Sequence, residues 1–327
     1  YPVYGAAGYL GSIDSFKQSK PYVAVVKDGA GIGRAMLLPS NSSIIGTMQY
    51  LLPKDNILPE YLYYLIKAKH LEKYYSGATI PHIYFKDYKN EEFDLFSFEI
   101  QYQIINKLKI IEKIIEKQKK EMDLLDELVK ARFVELFGNI FDNKNCFPIV
   151  KIEDVCSLIK DGTHQTPKYV EKHEGGFKFL SSKDVMSQKI DWSNIKYIPI
   201  ELHEKLYSAL KPQKNDILMS KNGVNYGVAA INDTNEVFDI YVSLALLRPK
   251  DIINSIYFRC AINSYETKRQ FDSSIKGIGV PNLHLGEIKK TKILLPPIEL
   301  QNQFADFIKE VDKSRFIIKS MIKEGLL

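Results

Sequence analysis

Two stretches of this 327-residue chain hold residue types that could do chemistry. Residues 25–34 read VVKDGAGIGR, an apolar run into Gly29, Gly31 and Gly33. A glycine-rich loop after a strand can cradle phosphate with its backbone N–H groups. A dinucleotide fingerprint needs G-x-G-x-x-G, because the second glycine admits the pyrophosphate and the third lets helix close on strand. Here the spacing is G-x-G-x-G, and no GxxxxGK[ST] occurs. The stretch also has an echo in MSKNGVNYGV, where Lys221, Gly223 and Gly227 stand 194 residues beyond Lys27, Gly29 and Gly33. The echo has Asn225 in place of Gly31, so a function common to both cannot depend on that middle glycine. This argues against a nucleotide loop. What both keep fits a tight turn between strands with a cationic side chain at its rim.

The second stretch is KDGTHQTPKY, residues 160–169. Gly162 and Pro167 shape a loop, Thr163, His164, Gln165 and Thr166 offer short polar groups, and Lys160 and Lys168 flank them. Hydroxyl, amide and cationic groups on an ordered loop suit phosphate and base-edge contacts; an ordinary polar surface loop has the same composition. His164, with no acidic partner or serine elbow evident, is a poor catalytic candidate. No NPP[YF] or DPP[YF] tetrapeptide occurs, and LLPPIE (294–299) lacks the amide or carboxylate that would hold a target amine. Neither HExxH, a paired carboxylate set nor a nuclease-like constellation stands out. Cys146, Cys156 and Cys260 lie far apart with no CxxC, which points to reduced thiols and to no metal site. The sequence does not suggest an enzyme.

The elements that must position these residues come from a repeat. The offset of 194 becomes 196 at LLPKD (51–55) against LRPKD (247–251). It becomes 200 at GATIPHI (77–83) against GIGVPNL (277–283), and stays so at FEIQYQI (98–104) against IELQNQF (298–304). Slow growth of the offset is what loop insertions produce, so two copies of one domain are expected. Extending the offset of 194 to the front pairs Tyr1 with about Ile195. Copy one would then lack the counterpart of roughly residues 147–194, as an N-terminally incomplete domain.

Each copy runs into a long helix. Residues 99–137 contain no Gly or Pro, and Ile104, Leu108, Ile111, Ile115, Gln118, Met122, Leu125, Val129 and Leu136 follow 4-3 spacing, with Arg132 the charged exception. Glu116–Lys120 and Asp126–Lys130 are placed for i,i+4 support, and Gly138 for a stop. At 1.5 Å per residue the helix spans on the order of 58 Å. Phe304, Ile308, Val311, Ile318 and Ile322 repeat the seam in 299–327, interrupted by Arg315. Pairing the two helices antiparallel would cover both seams. DILMS (216–220), YVSLALL (241–247) and TKILLPP (291–297) read as strands, and SIYFRCAINSYETKRQF (255–271) as one helix. The expected architecture is α+β: a first mixed domain over 1–98, a helix over 99–138, a second domain over 139–297 and a closing helix over 298–327.

A net charge of +5, with a pI near 8.7, permits a nucleic-acid partner without requiring one. The chain opens on YPVYGAAGYLG, which is not a secretory signal, and lacks an initiator Met, as a fragment would. Its apolar runs fall short of the ~20 residues of a membrane span. A cytoplasmic location away from membranes is expected.

Together these stretches resemble the specificity (S) subunit of type I restriction–modification enzymes. The resemblance covers essentially the whole chain. It rests on DGTHQTPKY, FLSSKDV (179–185), DILMSKNGVNYG (216–227), GIGVPNLHLGEIKKTKILLPPIELQNQF (277–304) and the central FEIQYQIINKL…LLDELVKARFVELFG. It implies two target recognition domains, each reading half of a split DNA target, and helices that pair as a ruler and dock two methyltransferase subunits. Those partners would methylate adenine N6 with S-adenosylmethionine, and restriction subunits can join them. The chain itself would be non-catalytic and hold no cofactor. The DNA-facing residues implied are Lys160, Thr163, His164, Thr166, Lys168, Ser182, Lys183, Lys221, Asn222, Asn225 and Tyr226 in the second domain. In the first they are Lys27, Asp28 and Arg34, with Ala30 at the turn tip. Domain one departs from the pattern in lacking a DGTHQTPKY counterpart. The competing expectations are a coiled-coil scaffold that no longer reads DNA and, from another class, a methyltransferase or nuclease fragment.

Overall fold

The computed structural model describes residues 1–77, 80–275 and 281–325. Parts of the GATIPHI and GIGVPNL repeat pair therefore lie outside the described residues. The chain divides into two units, residues 1–119 and 120–327.

In unit 1 the strands are β1 (Pro2–Gly5), β2 (Gly8–Ser12), β3 (Tyr22–Val26), β4 (Ala35–Leu38), β5 (Ser43–Ile44) and β6 (Met48–Leu51). The helices are α1 (Pro59–Ala68), α2 (Phe85–Tyr88) and the start of α3 (Phe98–Phe137). One sheet has the order β2-β1-β5 and the other β4-β3-β6. The β-branched run YVAVV makes β3 a central strand buried on both faces. Period-two alternation sends Val23 and Val25 to a core with α1, and Tyr22, Ala24 and Val26 to a core with Ile44 and Met48.

Unit 2 opens, after the last turns of α3, with β7 (Ile149–Lys151), α4 (Ile152–Val155), β8 (Cys156–Asp161), β9 (Phe177–Leu180), β10 (Lys196–Ile198) and α5 (Ile200–Ala209). Then come β11 (Ile217–Ser220), β12 (Ala229–Ile231), β13 (Phe238–Ile240), β14 (Leu244–Pro249), α6 (Ser255–Ile262) and α7 (Tyr265–Ser274). The unit closes with α8 (Leu285–Lys290), β15 (Lys292–Leu294) and α9 (Ile298–Gly325). Its sheets are β12-β11-β14-β8, β10-β9-β13 and β15-β7. The expected helix over 255–271 is two helices. Asn263 ends α6, and Ser264 caps α7 by accepting from the Thr267 N–H at 3.2 Å.

The duplication extends to individual hydrogen bonds. Val23 faces Leu51 in unit 1 as Ile217 faces Leu247 in unit 2. Gln101 is fully buried; its Oε1 accepts from Leu58 N (2.8 Å) and its Nε2 donates to Asn56 O (3.1 Å) and Phe96 O (2.8 Å). Gln301 repeats this with Asn254 N (2.8 Å), Ile252 O (3.3 Å) and Pro296 O (2.8 Å). Tyr61 donates to Asp94 O as Tyr257 donates to Leu294 O.

At the front, the pairing corrects the alignment expected from the offset. β1 runs parallel to β5 with Val3 opposite Ser43, as β9 runs parallel to β13 with Phe179 opposite Asp239. β1 thus corresponds to β9, and Tyr1 to about Phe177 rather than Ile195. A tight β1–β2 hairpin stands where unit 2 runs through residues 181–195, an insertion that no constant offset could reveal.

The last turns of α3 pack antiparallel on α9. Phe133 and Phe137 meet the Phe304 ring at 5.5 and 5.4 Å between centroids, and Asp126 pairs with Arg315 further along. Ile308 and Val311 are buried here, Met122 and Ile318 half-buried. The 4-3 seam was too narrow. The rings of Phe133 and Phe137, off the expected seam, carry much of this contact with Val129 and Leu136 beside them. Arg315 does not break the pairing, because its two terminal nitrogens bond Asp312 and Asp126. Neither Glu116–Lys120 nor Asp126–Lys130 forms an ion pair among the described residues. In unit 1, Ile104 packs on its own domain's core beside the buried Ile105, Leu108 and Ile115 are half-buried, and Ile111 is exposed. Gly138 closes α3 with φ +67° and an N–H bond to Val134 O.

Candidate nucleic-acid interface

The glycine turn is the same object in both units. Gly29 and Gly223 have φ of +89° and +86°, Gly33 and Gly227 of +81° and +84°. Gly29 N donates to Pro81 O as Gly223 N does to Pro281 O, and Gly33 N to Val26 O as Gly227 N to Ser220 O. The outer glycine is also sterically required. A Cβ on Gly33 would lie 2.5 Å from Glu72 N, and one on Gly227 2.8 Å from the Phe271 ring. These glycines serve a turn tucked against its own domain, with no phosphate cradle needed to explain them.

The cation of the second turn is not at its rim. Lys221 is 5% exposed, and its Nζ donates to Asp161 Oδ2 at 2.7 Å. His164 Nε2 lies 3.4 Å from the same oxygen, so His164 does have an acidic neighbour. Burial works to raise the Asp161 carboxyl, but the Lys221 ammonium bond and charge, with His164 nearby, hold it below the ordinary value. This buried pair ties the turn to the start of the 161–169 loop.

Three predicted stretches converge on residues 241–244, where the sequence predicts only a strand. Thr163 bridges Tyr241, donating to Ile240 O and accepting from Val242 N. Ser243 Oγ accepts from Ser182 N at 3.0 Å, and Ser243 O accepts from Lys221 N at 2.8 Å. Tyr241 OH is 3.5 Å from Thr166 Oγ1. Gly162 permits the crossing, since a Cβ there would lie 2.0 Å from Ile240 O. Tyr241 and Ser243 are the contributors that sequence reasoning missed. Their only sequence signal was a polar interruption, YVS, ahead of an apolar strand.

Of the sequence-derived residues, His164, Thr166, Lys168, Lys183 and Asn225 are exposed on this surface. Lys183 reaches Asn194 O at 3.3 Å, and Lys168 has no ion-pair partner among the described residues. Others are turned inward or aside. Lys160 donates to Ala209 O at the end of α5 (3.0 Å). Tyr226 donates to Asp272 and lies under Lys268. Asn222 is half-buried, with Oδ1 unbonded among the described residues. In unit 1, Asp28 is held by His82, Arg34 donates to Ala6 O, and Lys27 is half-buried. No helix among the described residues is long and apolar enough to cross a membrane, and no group of three or more side chains there is placed to hold a metal ion.

A family model described as "Type I restriction modification DNA specificity domain" matches residues 1–122 and 147–327, one copy on each side of the end of α3. The chain belongs to that family. It is a type I specificity subunit and not an enzyme by itself. Such a subunit implies DNA and a methyltransferase as partners. Relatives include two specificity subunits of Methanocaldococcus jannaschii. The MjaVIII subunit is 25% identical over 311 residues, 89% of this chain and 72% of that one. The MjaIX subunit is 22% identical over 306 residues, 85% and 69%. The S subunit of M. genitalium has the same fold, with a TM-score of 0.56 at 17% identity, covering all of this chain and 85% of that one. A chain from a study of type I complex assembly and conformational transition gives 0.52 at 15%, covering 99% and 88%.

Proposed function

We propose that this specificity subunit reads a split DNA target with two similar heads and docks two methyltransferase subunits that methylate adenine N6. S-adenosylmethionine would be bound by those partners and not by this chain, and restriction subunits can join the assembly. The observation that carries the reading is the convergence of the 161–169 loop, the 181–185 turn and the Lys221 turn on one strand end. This presents His164, Thr166, Lys168 and Lys183 together on an exposed face. Cations there suit phosphate oxygens and the short polar groups suit base edges. The buried Lys221–Asp161 pair positions the loop; it is not itself a phosphate contact. Domains are read as residues 1–98 and 139–297, separated by the helices over 99–138 and 298–327.

The test is selection from randomised duplexes by the chain together with its methyltransferase. Enrichment of a two-part motif with a fixed gap is expected. Enrichment of nothing at moderate salt would favour a scaffold that assembles partners without reading sequence.

A further inference from the structure

Each unit has a groove where an edge strand meets the short helix beside it and the long helix that follows. In unit 2 the edge strand is β12, at the far side of its sheet from β8. The groove there is closed by the tip of the 181–195 insertion, between β9 and β10. Arg259 of α6 donates through Nη1 to Gln188 O at 3.3 Å, and Lys189 Nζ donates to Asp312 Oδ1 of α9 at 3.2 Å. Gln188 makes the turn with φ +58°.

Unit 1 has the same strand and helices without that tip. By the offsets of 196 and 200, Tyr63 stands for Arg259 and Glu112 for Asp312. A groove of about 410 Å³ is open between β4, α1 and α3, and no residue of the β1–β2 hairpin lines it. Its walls are Met36 and Leu37 of β4 and Tyr63 and Tyr64 of α1, with the two rings 5.1 Å apart and Leu37 37% exposed. Its charges cancel at the rim. Glu60 pairs with Lys109 at 2.5 Å and Glu112 with Lys67 at 2.9 Å, and the Tyr64 hydroxyl donates to Glu112 at 2.8 Å. Both lysines are committed to carboxylates, so the groove has little attraction for a phosphate backbone. Tyrosines and an aliphatic wall ringed by ion pairs have instead the composition of a protein–protein anchor point.

A specificity subunit implies two partners, DNA and a methyltransferase, and this chemistry selects the second. We infer that the β4–α1–α3 groove of unit 1 is a docking site for a loop of the methyltransferase subunit, seated as residues 186–190 are seated in unit 2. The loop brings an apolar side chain against Leu37 and Tyr63 and a basic one towards Glu112, as Lys189 approaches Asp312. Unit 2 fills the equivalent groove with its own chain, so the two heads offer the methyltransferase unequal surfaces. The inference rests on the reading that this chain docks methyltransferase subunits, and adds where on unit 1 one of them is anchored.

The experiment titrates the methyltransferase subunit onto the full chain and its variants by calorimetry. Leu37→Arg, on an exposed edge-strand position, and Tyr63→Ala should each weaken one binding step at least about tenfold. Lys189→Ala, which loosens only the unit 2 tip, should stay within about twofold. Amide hydrogen exchange on the unmodified chain reads the same site without a substitution: adding the methyltransferase should slow residues 60–66 at least about tenfold. Unchanged exchange there, or unchanged affinity in a Leu37→Arg chain that unfolds at the wild-type temperature, would overturn the inference. So would protection of residues 60–66 that grows with the concentration of the chain alone, since a second copy would then be the occupant. A wild-type chain that binds no methyltransferase would remove the docking reading itself, and the inference with it.

Discussion

The two units share a framework and differ in what is hung on it. In unit 2 the turn lysine is buried on Asp161 and three loops lock onto residues 240–244; in unit 1 the equivalent lysine is half-buried and a short hairpin replaces the inserted loops. Conserving buried amide and turn bonds while exchanging surface loops lets one scaffold present different chemistry, because the framework bonds are satisfied inside each unit. The difference also identifies which side chains are structural. Those whose bonds recur in both copies hold the fold, and those present in one copy are where recognition has room to vary.

The sharpest way to break the parallel is at the amides. Gln101→Ala and Gln301→Ala each strand one buried N–H and two carbonyls. Each should cost at least about 3 kcal/mol, at roughly 1–3 kcal/mol per group. Denaturant unfolding should show similar losses from the two sites; a loss in only one unit would mean the duplication is not energetic. Next come the glycines. Gly33→Ala drives a Cβ into backbone and Gly227→Ala into an aromatic ring, so both should exceed Gly29→Ala and Gly223→Ala, which meet nothing within 4 Å and cost about 1 kcal/mol in φ alone. Equal effects at inner and outer glycines in thermal unfolding would remove the packing argument.

Lys221→Ala should destabilise by about 1.5–3 kcal/mol by removing the charged donor bonded to Asp161, whereas Lys27→Ala should stay within about 0.5 kcal/mol. Acid sharpens this contrast. The folded Asp161 carboxyl is depressed, so its contribution is fully present above the ordinary value near 3.9 and is lost as pH falls through the lower folded one. Wild type should lose stability there and Lys221→Ala much less, as an unfolding series across pH will show. The smallest effect expected is Lys168→Ala, which should leave folding alone and reduce the salt slope of DNA binding by about 1. An unchanged slope would remove Lys168 from the phosphate contacts.

Much of this contrast was legible in the residues. Heptad spacing and the lack of Gly and Pro gave α3 nearly to the residue, and the offsets 194, 196 and 200 reappear in the hydrogen-bond partners of the two turns and two glutamines. What failed depended on distant partners. Nothing local says that Lys221 meets an aspartate sixty residues earlier, or that Asp126 prefers Arg315 to Lys130. The break at Asn263–Ser264 was hidden because apolar spacing continues across it; the Ser264–Thr267 cap was the available sign. The β1–β9 equivalence was lost because the inserted 181–195 segment shifts the frame where the strands are too short to align. Of the recognition residues, composition located the loop but not which side chains face out, since that is set by Tyr241 and Ser243 beneath it.

The glutamine amides have a further consequence. Each sits in the first turn of its long helix and grips the connection that enters α1 or α6, so it fixes the rotation of that helix about its own axis relative to the head it serves. A duplex presents its groove edges at an azimuth that advances through a full circle every ~10.5 base pairs. Under the proposed reading of DNA, an angular error at such a root would turn a head away from the bases it faces. Two side-chain carboxamides thereby act as the indexing pins of the instrument.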